Sequence, residues 1–207
     1  VVPFALFGAA GPGEKDVVAS LFDLFAAGGG ALLGDVVGVF FEEGHEVLAL
    51  GGSWHGVTGQ ASAVSFASDR KGTGPKMPGT YVIPEPNAYR CPVEHCRDTC
   101  DMTCLRVGMK LFDMQTSGAP AAIIAEPVIS AGGIIVPPDG YFQALQKAAH
   151  DRGALLVYDE AQTAFGRLGV KFAAEKVGVV PDVMSVSKTL GGGVDLVTGR
   201  RIEQRER

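Results

Sequence analysis

Leu155-Leu156-Val157-Tyr158-Asp159-Glu160-Ala161-Gln162 and Val183-Met184-Ser185-Val186-Ser187-Lys188-Thr189-Leu190-Gly191-Gly192-Gly193 bound the stretch whose reading decides the fold. In each half a short apolar run stops at a charged side chain, Asp159 in the first and Lys188 in the second. Buried parallel strands look like this when their C-terminal ends carry functional groups. The 28 residues between Asp159 and Lys188 are enough for one crossover containing a helix. Such a crossover is right-handed and returns the chain to the same edge of the sheet. Asp159 and Lys188 are therefore predicted to face one crevice, where the ligands of open α/β sheets sit.

Upstream, Ala121 to Glu126 reads as a central parallel strand that ends in an acid at the same crevice, after a turn at Gly118-Ala119-Pro120. Ser130-Ala131-Gly132-Gly133 follows as a loop. Tyr141 to Arg152 has Phe142, Leu145, Ala148 and Ala149 at helical spacing and is closed by Gly153. The order strand, helix, strand, helix, strand predicts a doubly wound α/β fold with a mostly parallel sheet. An amine and an acid at neighbouring strand ends suit pyridoxal 5'-phosphate. The lysine forms the Schiff base, and the aspartate holds the pyridine nitrogen protonated so that the ring is an electron sink.

The strings Ala125-Glu126-Pro127, Asp159-Glu160-Ala161-Gln162-Thr163, Phe165-Gly166-Arg167, Pro181-Asp182 and Ser187-Lys188-Thr189-Leu190-Gly191 resemble class III, fold type I pyridoxal phosphate aminotransferases. Ser53-Trp54-His55-Gly56, Pro86-Asn87-Ala88-Tyr89-Arg90 and Asp139-Gly140-Tyr141 are most similar to dialkylglycine decarboxylase and its relatives. The resemblance divides the chain into a divergent segment at 1–45, a cofactor-binding large-domain core at 46–193 and a charged tail at 194–207. It implies that Lys188 carries the cofactor and then moves the α proton, and that Asp159 pairs with the pyridine nitrogen. Gln162 would bond near the ring's phenolic oxygen or the substrate, Trp54 would stack on the ring, and His55 and Glu126 would line the pocket. Without the resemblance, a lone Trp54 reads as core and Lys188 as a solvated strand-end lysine.

Three departures from the family pattern bear on activity. No Gly-Ser/Ala-Glu phosphate loop is found in residues 1–45, although a phosphate needs backbone donors of that kind. The chain ends 19 residues after Lys188, so the family's C-terminal small domain and its substrate-binding arginine are expected to be missing. Leu168 stands where relatives usually have Thr. Two functions follow from the resemblance. One is transamination of an amino acid to a keto acid, with or without decarboxylation, in a homodimer. The other is a truncated, non-catalytic partner of a full-length relative. A serine acyl-enzyme built on Ser185-Val186-Ser187-Lys188 lacks every companion motif.

Bulk properties set the outer bounds. The 207 residues are 46% hydrophobic and 20% charged, with a net charge of −5. That describes a globular protein without the basic face that nucleic acid requires. Leu24 to Phe41 is the most membrane-like segment, but it contains Asp35 and five glycines and lacks basic flanks. No secretory signal is visible, so a cytoplasmic location is expected.

Gly8-Ala9-Ala10-Gly11-Pro12-Gly13-Glu14-Lys15 departs from a phosphate loop at Glu14 and lacks a Ser or Thr after Lys15, and it reads as a turn. Glu14 to Ala27 has a helical apolar face that Gly28-Gly29-Gly30 ends. Glu46 to Gly52 reads as a strand and turn, and Tyr81-Val82-Ile83 as a strand-like piece in a Gly- and Pro-rich excursion.

Cys91, Cys96, Cys100 and Cys104 fall within 14 residues, beside His95. A helix from about Glu94 to Phe112 would put Cys96, Cys100 and Cys104 on one face. The paired spacing of zinc ligands is absent, so a reduced, partly buried face and no metal are expected. The four arginines of the last 14 residues suggest a solvated or frayed end.

Overall fold

The computed structural model of the chain describes residues 5–8, 44–67, 75–91, 93–97 and 99–191. The readings of Gly8 to Lys15, Glu14 to Ala27, Leu24 to Phe41 and the last 14 residues lie wholly or almost wholly outside them. In chain order the elements are β1 (Ala5–Gly8), β2 (Glu46–Leu50), α1 (Gly59–Ala63), β3 (Thr80–Ile83), α2 (Thr103–Gln115), β4 (Pro120–Ala125), α3 (Tyr141–His150), β5 (Leu155–Asp159), α4 (Ala173–Val177) and β6 (Val183–Val186). Short 3-10 turns occupy Glu94–Arg97 and Lys188–Gly191.

The strands form one sheet in the order β1-β6-β5-β4-β2-β3. Neighbours from β6 to β3 are parallel, and β1 lies antiparallel on β6. The central strands read as continuous apolar runs because both of their faces are covered. One face presents Leu48, Leu50, Ile123, Ala125, Leu156 and Tyr158 to α2 and α3. Those helices answer with Leu105, Met109 and Phe112, and with Tyr141, Phe142, Leu145 and Ala149. The opposite face packs Ala49, Ala122, Ile124, Val157 and Val183 around Val64. Each fully buried large aliphatic or aromatic side chain contributes about 1.5–3 kcal/mol by its removal from water.

The strand, helix, strand, helix, strand order read from Ala121 to Lys188 is therefore present, and the fold is α/β with a mostly parallel sheet. The helix read as Tyr141 to Arg152 ends at His150, and the turn that follows reaches Gly153, whose φ is +70°. Left-handed backbone is the state in which glycine costs least. On the other side of the same face, α2 sits against β3 so closely that a Cβ on Gly108 would stand 2.7 Å from Ile83 Cβ. Tyr81 and Phe112 meet edge to face there, with ring centroids 5.2 Å apart.

The single helix expected from Glu94 to Phe112 is corrected. A 3-10 turn ends at Arg97 and α2 begins only at Thr103. Between them Met102 takes a left-handed conformation, φ +61° and ψ +28°, which no α-helix continues through. The Asp101 carboxylate holds the new start by accepting from Thr103 N at 3.0 Å and from Thr103 Oγ1 at 2.7 Å. Cys96, Cys100 and Cys104 therefore do not form one helical stripe. The four thiols are free; Cys91, Cys96 and Cys104 are buried and Cys100 is half-buried.

Candidate active site

Parallel strands bring their carboxyl ends to one edge, and every candidate residue lies just past such an end. Trp54 and His55 follow β2, Glu126 follows β4, Asp159 closes β5 and Lys188 follows β6. Hydrogen bonds tie three of these segments together. Trp54 N donates to Glu126 Oε1 at 2.8 Å. His55 Nδ1 and Asp159 Oδ2 are 2.8 Å apart, with both side chains almost wholly buried. Trp54 itself is half-buried, and Lys188 is exposed at the first position of its 3-10 turn.

Burial pushes the Asp159 carboxyl upward, yet its pKa ends below the ordinary aspartate value. The His55 hydrogen bond and charge, the Ala161 backbone N–H and the positive charge of Lys188 outweigh the loss of water. Asp159 is thus a buried anion, and His55 Nδ1 carries the proton it donates. An ionised carboxylate has about four acceptor positions. Ala161 N at 3.0 Å and Ser185 Oγ at 3.3 Å reach Oδ1. With His55 on Oδ2, one position remains for a further donor. At this edge His55 Nε2 and Thr189 Oγ1 are buried and have no hydrogen-bond partner among the described residues. A buried anion with a spare acceptor position, within reach of a lysine's charge, fits a group with a cationic ring nitrogen and an aldehyde that an amine can attack.

The remaining candidates are placed differently from one another. Glu126 is buried, but its oxygens are taken up by Trp54 N, by Ser130 N at 3.1 Å and by Ser130 Oγ at 2.6 Å. It fastens the loop after β4 to the segment after β2. Gln162 is exposed on the turn after β5, and no side-chain hydrogen bond joins it to the others among the described residues. Ser65 is not singled out by the sequence, and Ser185 enters there only in the acyl-enzyme string that lacks its companion motifs. Ser65 Oγ accepts His55 N at 2.8 Å and donates to Ala61 O at 2.8 Å, which fixes the histidine's backbone. Ser185 lies opposite Asp159 in the β5–β6 register, and a serine inside an apolar strand was its available signal. Glu160 is fully buried and accepts Ala173 N at 2.7 Å, Ala174 N at 2.8 Å and Thr163 Oγ1 at 3.0 Å. The second acid of the Asp159-Glu160 pair therefore anchors α4.

Among the described residues no helix is long and apolar enough to cross a membrane. The family model for aminotransferase class-III matches residues 36–204. An uncharacterised aminotransferase of Schizosaccharomyces pombe is 43% identical over 164 residues, covering 77% of this chain and 37% of that protein. A leucine/methionine racemase of Thermococcus litoralis is 38% identical over 128 residues, covering 60% of this chain and 29% of that protein. Among solved structures, the omega transaminase of Pseudomonas jessenii in complex with PMP is 26% identical with a TM-score of 0.63, covering 91% of this chain and 40% of that one. The chain thus spans between 29% and 40% of the length of these relatives.

Proposed function

Because the chain belongs to the class-III aminotransferase family, we propose that its crevice binds pyridoxal phosphate and that the protein moves an amino group between an amino acid and a keto acid. The observation that carries this reading is Asp159, a buried anion kept ionised by His55, with Lys188 near enough to lower its pKa. When bound, the cofactor supplies an electron-poor ring that draws electrons from the substrate's Cα.

The chain's own residues do the rest. Asp159 keeps a ring nitrogen protonated through its spare acceptor position. His55 keeps Asp159 charged, so that the aspartate does not take that proton for itself. Lys188 Nζ would hold the cofactor's aldehyde carbon and would carry the proton to and from the substrate's Cα. Trp54, half-buried beside His55, offers its face to the ring, and Gln162 reaches substrate or cofactor from the exposed turn. Glu126 holds the Trp54 backbone and so positions the indole, with most of its acceptor positions already taken. The family resemblance adds a second copy or a longer relative as partner, which sedimentation of the purified chain checks.

The test is chemical labelling. Pyridoxal phosphate is added to the protein, the visible absorbance is followed, borohydride fixes the adduct, and the modified peptide is mapped by mass spectrometry. One label per chain on Lys188, abolished in Lys188→Ala, is expected. No label, or labels scattered over surface lysines, overturns the reading.

The identity shared with a racemase supports a second reading of the same site, in which the proton returns to the opposite face of Cα. Incubating one enantiomer without keto acid separates the two. Appearance of the other enantiomer means racemisation, amino transfer that needs a keto acid means transamination, and released carbon dioxide adds decarboxylation.

A further inference from the structure

We propose that His95, Cys96 and Asp101 form a zinc-class metal site, with three protein ligands and water in the fourth position. Their ligand atoms all lie within 4.8 Å of one another. His95 Nε2 is 3.3 Å from Asp101 Oδ2, and Cys96 Sγ is 3.1 Å from Asp101 Oδ1. A tetrahedral zinc ion with its usual bonds to nitrogen, sulfur and carboxylate oxygen sets neighbouring ligand atoms roughly 3.3–3.7 Å apart. The three donors are thus close enough to converge on one ion after side-chain adjustment.

The break in the helix creates this site. The sequence offers the four thiols and His95 as ligands without the paired pattern of zinc sites, and it does not point to Asp101. The left-handed turn at Met102 instead carries Asp101 back over His95 and Cys96. One nitrogen, one sulfur and one oxygen favour zinc over magnesium or calcium, which take oxygen alone. The carboxylate is already oriented, as ligating carboxylates are when a second layer of donors holds them. Thr103 N and Oγ1 fix Oδ1, and the Arg106 guanidinium reaches Oδ2 at 3.0 Å and also the Asp101 carbonyl oxygen. His95 Nε2 is within 3.1 Å of Thr103 Oγ1 as well.

Charge and access are consistent with an ion. Cys96 now places its S–H on Asp101 Oδ1. Metal binding replaces that proton, which goes to solvent, and leaves thiolate and carboxylate to balance a divalent cation. Arg106 keeps a positive charge on the carboxylate's outer side, so affinity is below that of an all-thiolate site. Cys96 is 2% exposed and forms the floor, while the side chains of His95 and Asp101 are 60% and 44% exposed at the mouth. An ion enters from water, and the fourth position stays open to it.

The experiment uses the purified full chain, stripped of metal under reducing conditions and titrated with Zn²⁺ or Co²⁺. One ion per chain is expected, with a thiolate-to-cobalt charge-transfer band. Cys96→Ser should abolish the band, and His95→Ala and Asp101→Asn should each weaken binding at least tenfold. Cys91→Ser and Cys104→Ser should leave it in place. His95 is exposed, so His95→Ala keeps the test decisive if Cys96→Ser misfolds. Binding that is not stoichiometric at micromolar metal, that survives His95→Ala, or that depends on Cys91 or Cys104 overturns the proposal.

Discussion

At the scale of the residue, the pairing of His55 with Asp159 decides what the crevice can hold. Removing the imidazole leaves a buried carboxylate short of its strongest partner, a loss of about 1–3 kcal/mol for a charged group. In His55→Ala the Asp159 pKa moves up, because burial then goes largely unopposed. Pyridoxal phosphate affinity is expected to fall roughly 5- to 150-fold on that energy. The loss should deepen as the pH is lowered, since the aspartate then takes its own proton. An absorbance titration across pH checks both, and a pH-independent affinity equal to the parent's counts against the pairing. Asp159 and Lys188 were legible in the sequence because each ends an apolar run. The service of Ser65 and Ser185 was not, since a serine's partner depends on which segment folds over it.

At the scale of the element, the strands and α3 could be read because hydrophobic runs and a closing glycine are local signals. The start of α2 could not. A left-handed Met102 has no composition cue, and the apolar periodicity from Glu94 onward runs straight through it. Gly108 is a quieter case, a glycine in the middle of a helix where propensity disfavours it. Its reason is the contact with β3, since the missing methyl would overlap Ile83 Cβ and Cγ2. Gly108→Ala trades a better helix former for that clash. Backbone-bound Ile83 cannot swing away, so the clash wins and costs about 1–3 kcal/mol. Urea denaturation should show a lower midpoint at unchanged slope; a gain in stability would mean that α2 slides freely on β3.

At the scale of the whole molecule, the sheet has a working end and a base. Glu46 is a buried charged residue of the base, 2% exposed at the start of β2. It accepts Tyr81 OH at 3.0 Å, Ser117 N at 2.8 Å and the Thr116 hydroxyl, so it joins β3 and the α2–β4 turn to the central strand. Burial would raise its carboxyl, but these donors hold it at about 2 instead of 4.5. A carboxyl lowered by folding adds stability above its unfolded pKa, which is lost as pH falls toward the folded one. Between about pH 4.5 and 2 the parent should therefore lose about 1–3 kcal/mol that Glu46→Gln has already given up. Equal acid unfolding curves for the two proteins would refute this. The other edge of the sheet sets the order of events in folding. Ala5 pairs with Val186 across 180 intervening residues, the longest reach in the sheet, while β4, β5 and β6 follow one another closely. Closing so wide a loop is slow even though its entropy grows only logarithmically with length. Until β1 arrives, the free margin of β6 is an open template for strands of other chains, so newly made protein is most prone to aggregate just before β1 takes its place.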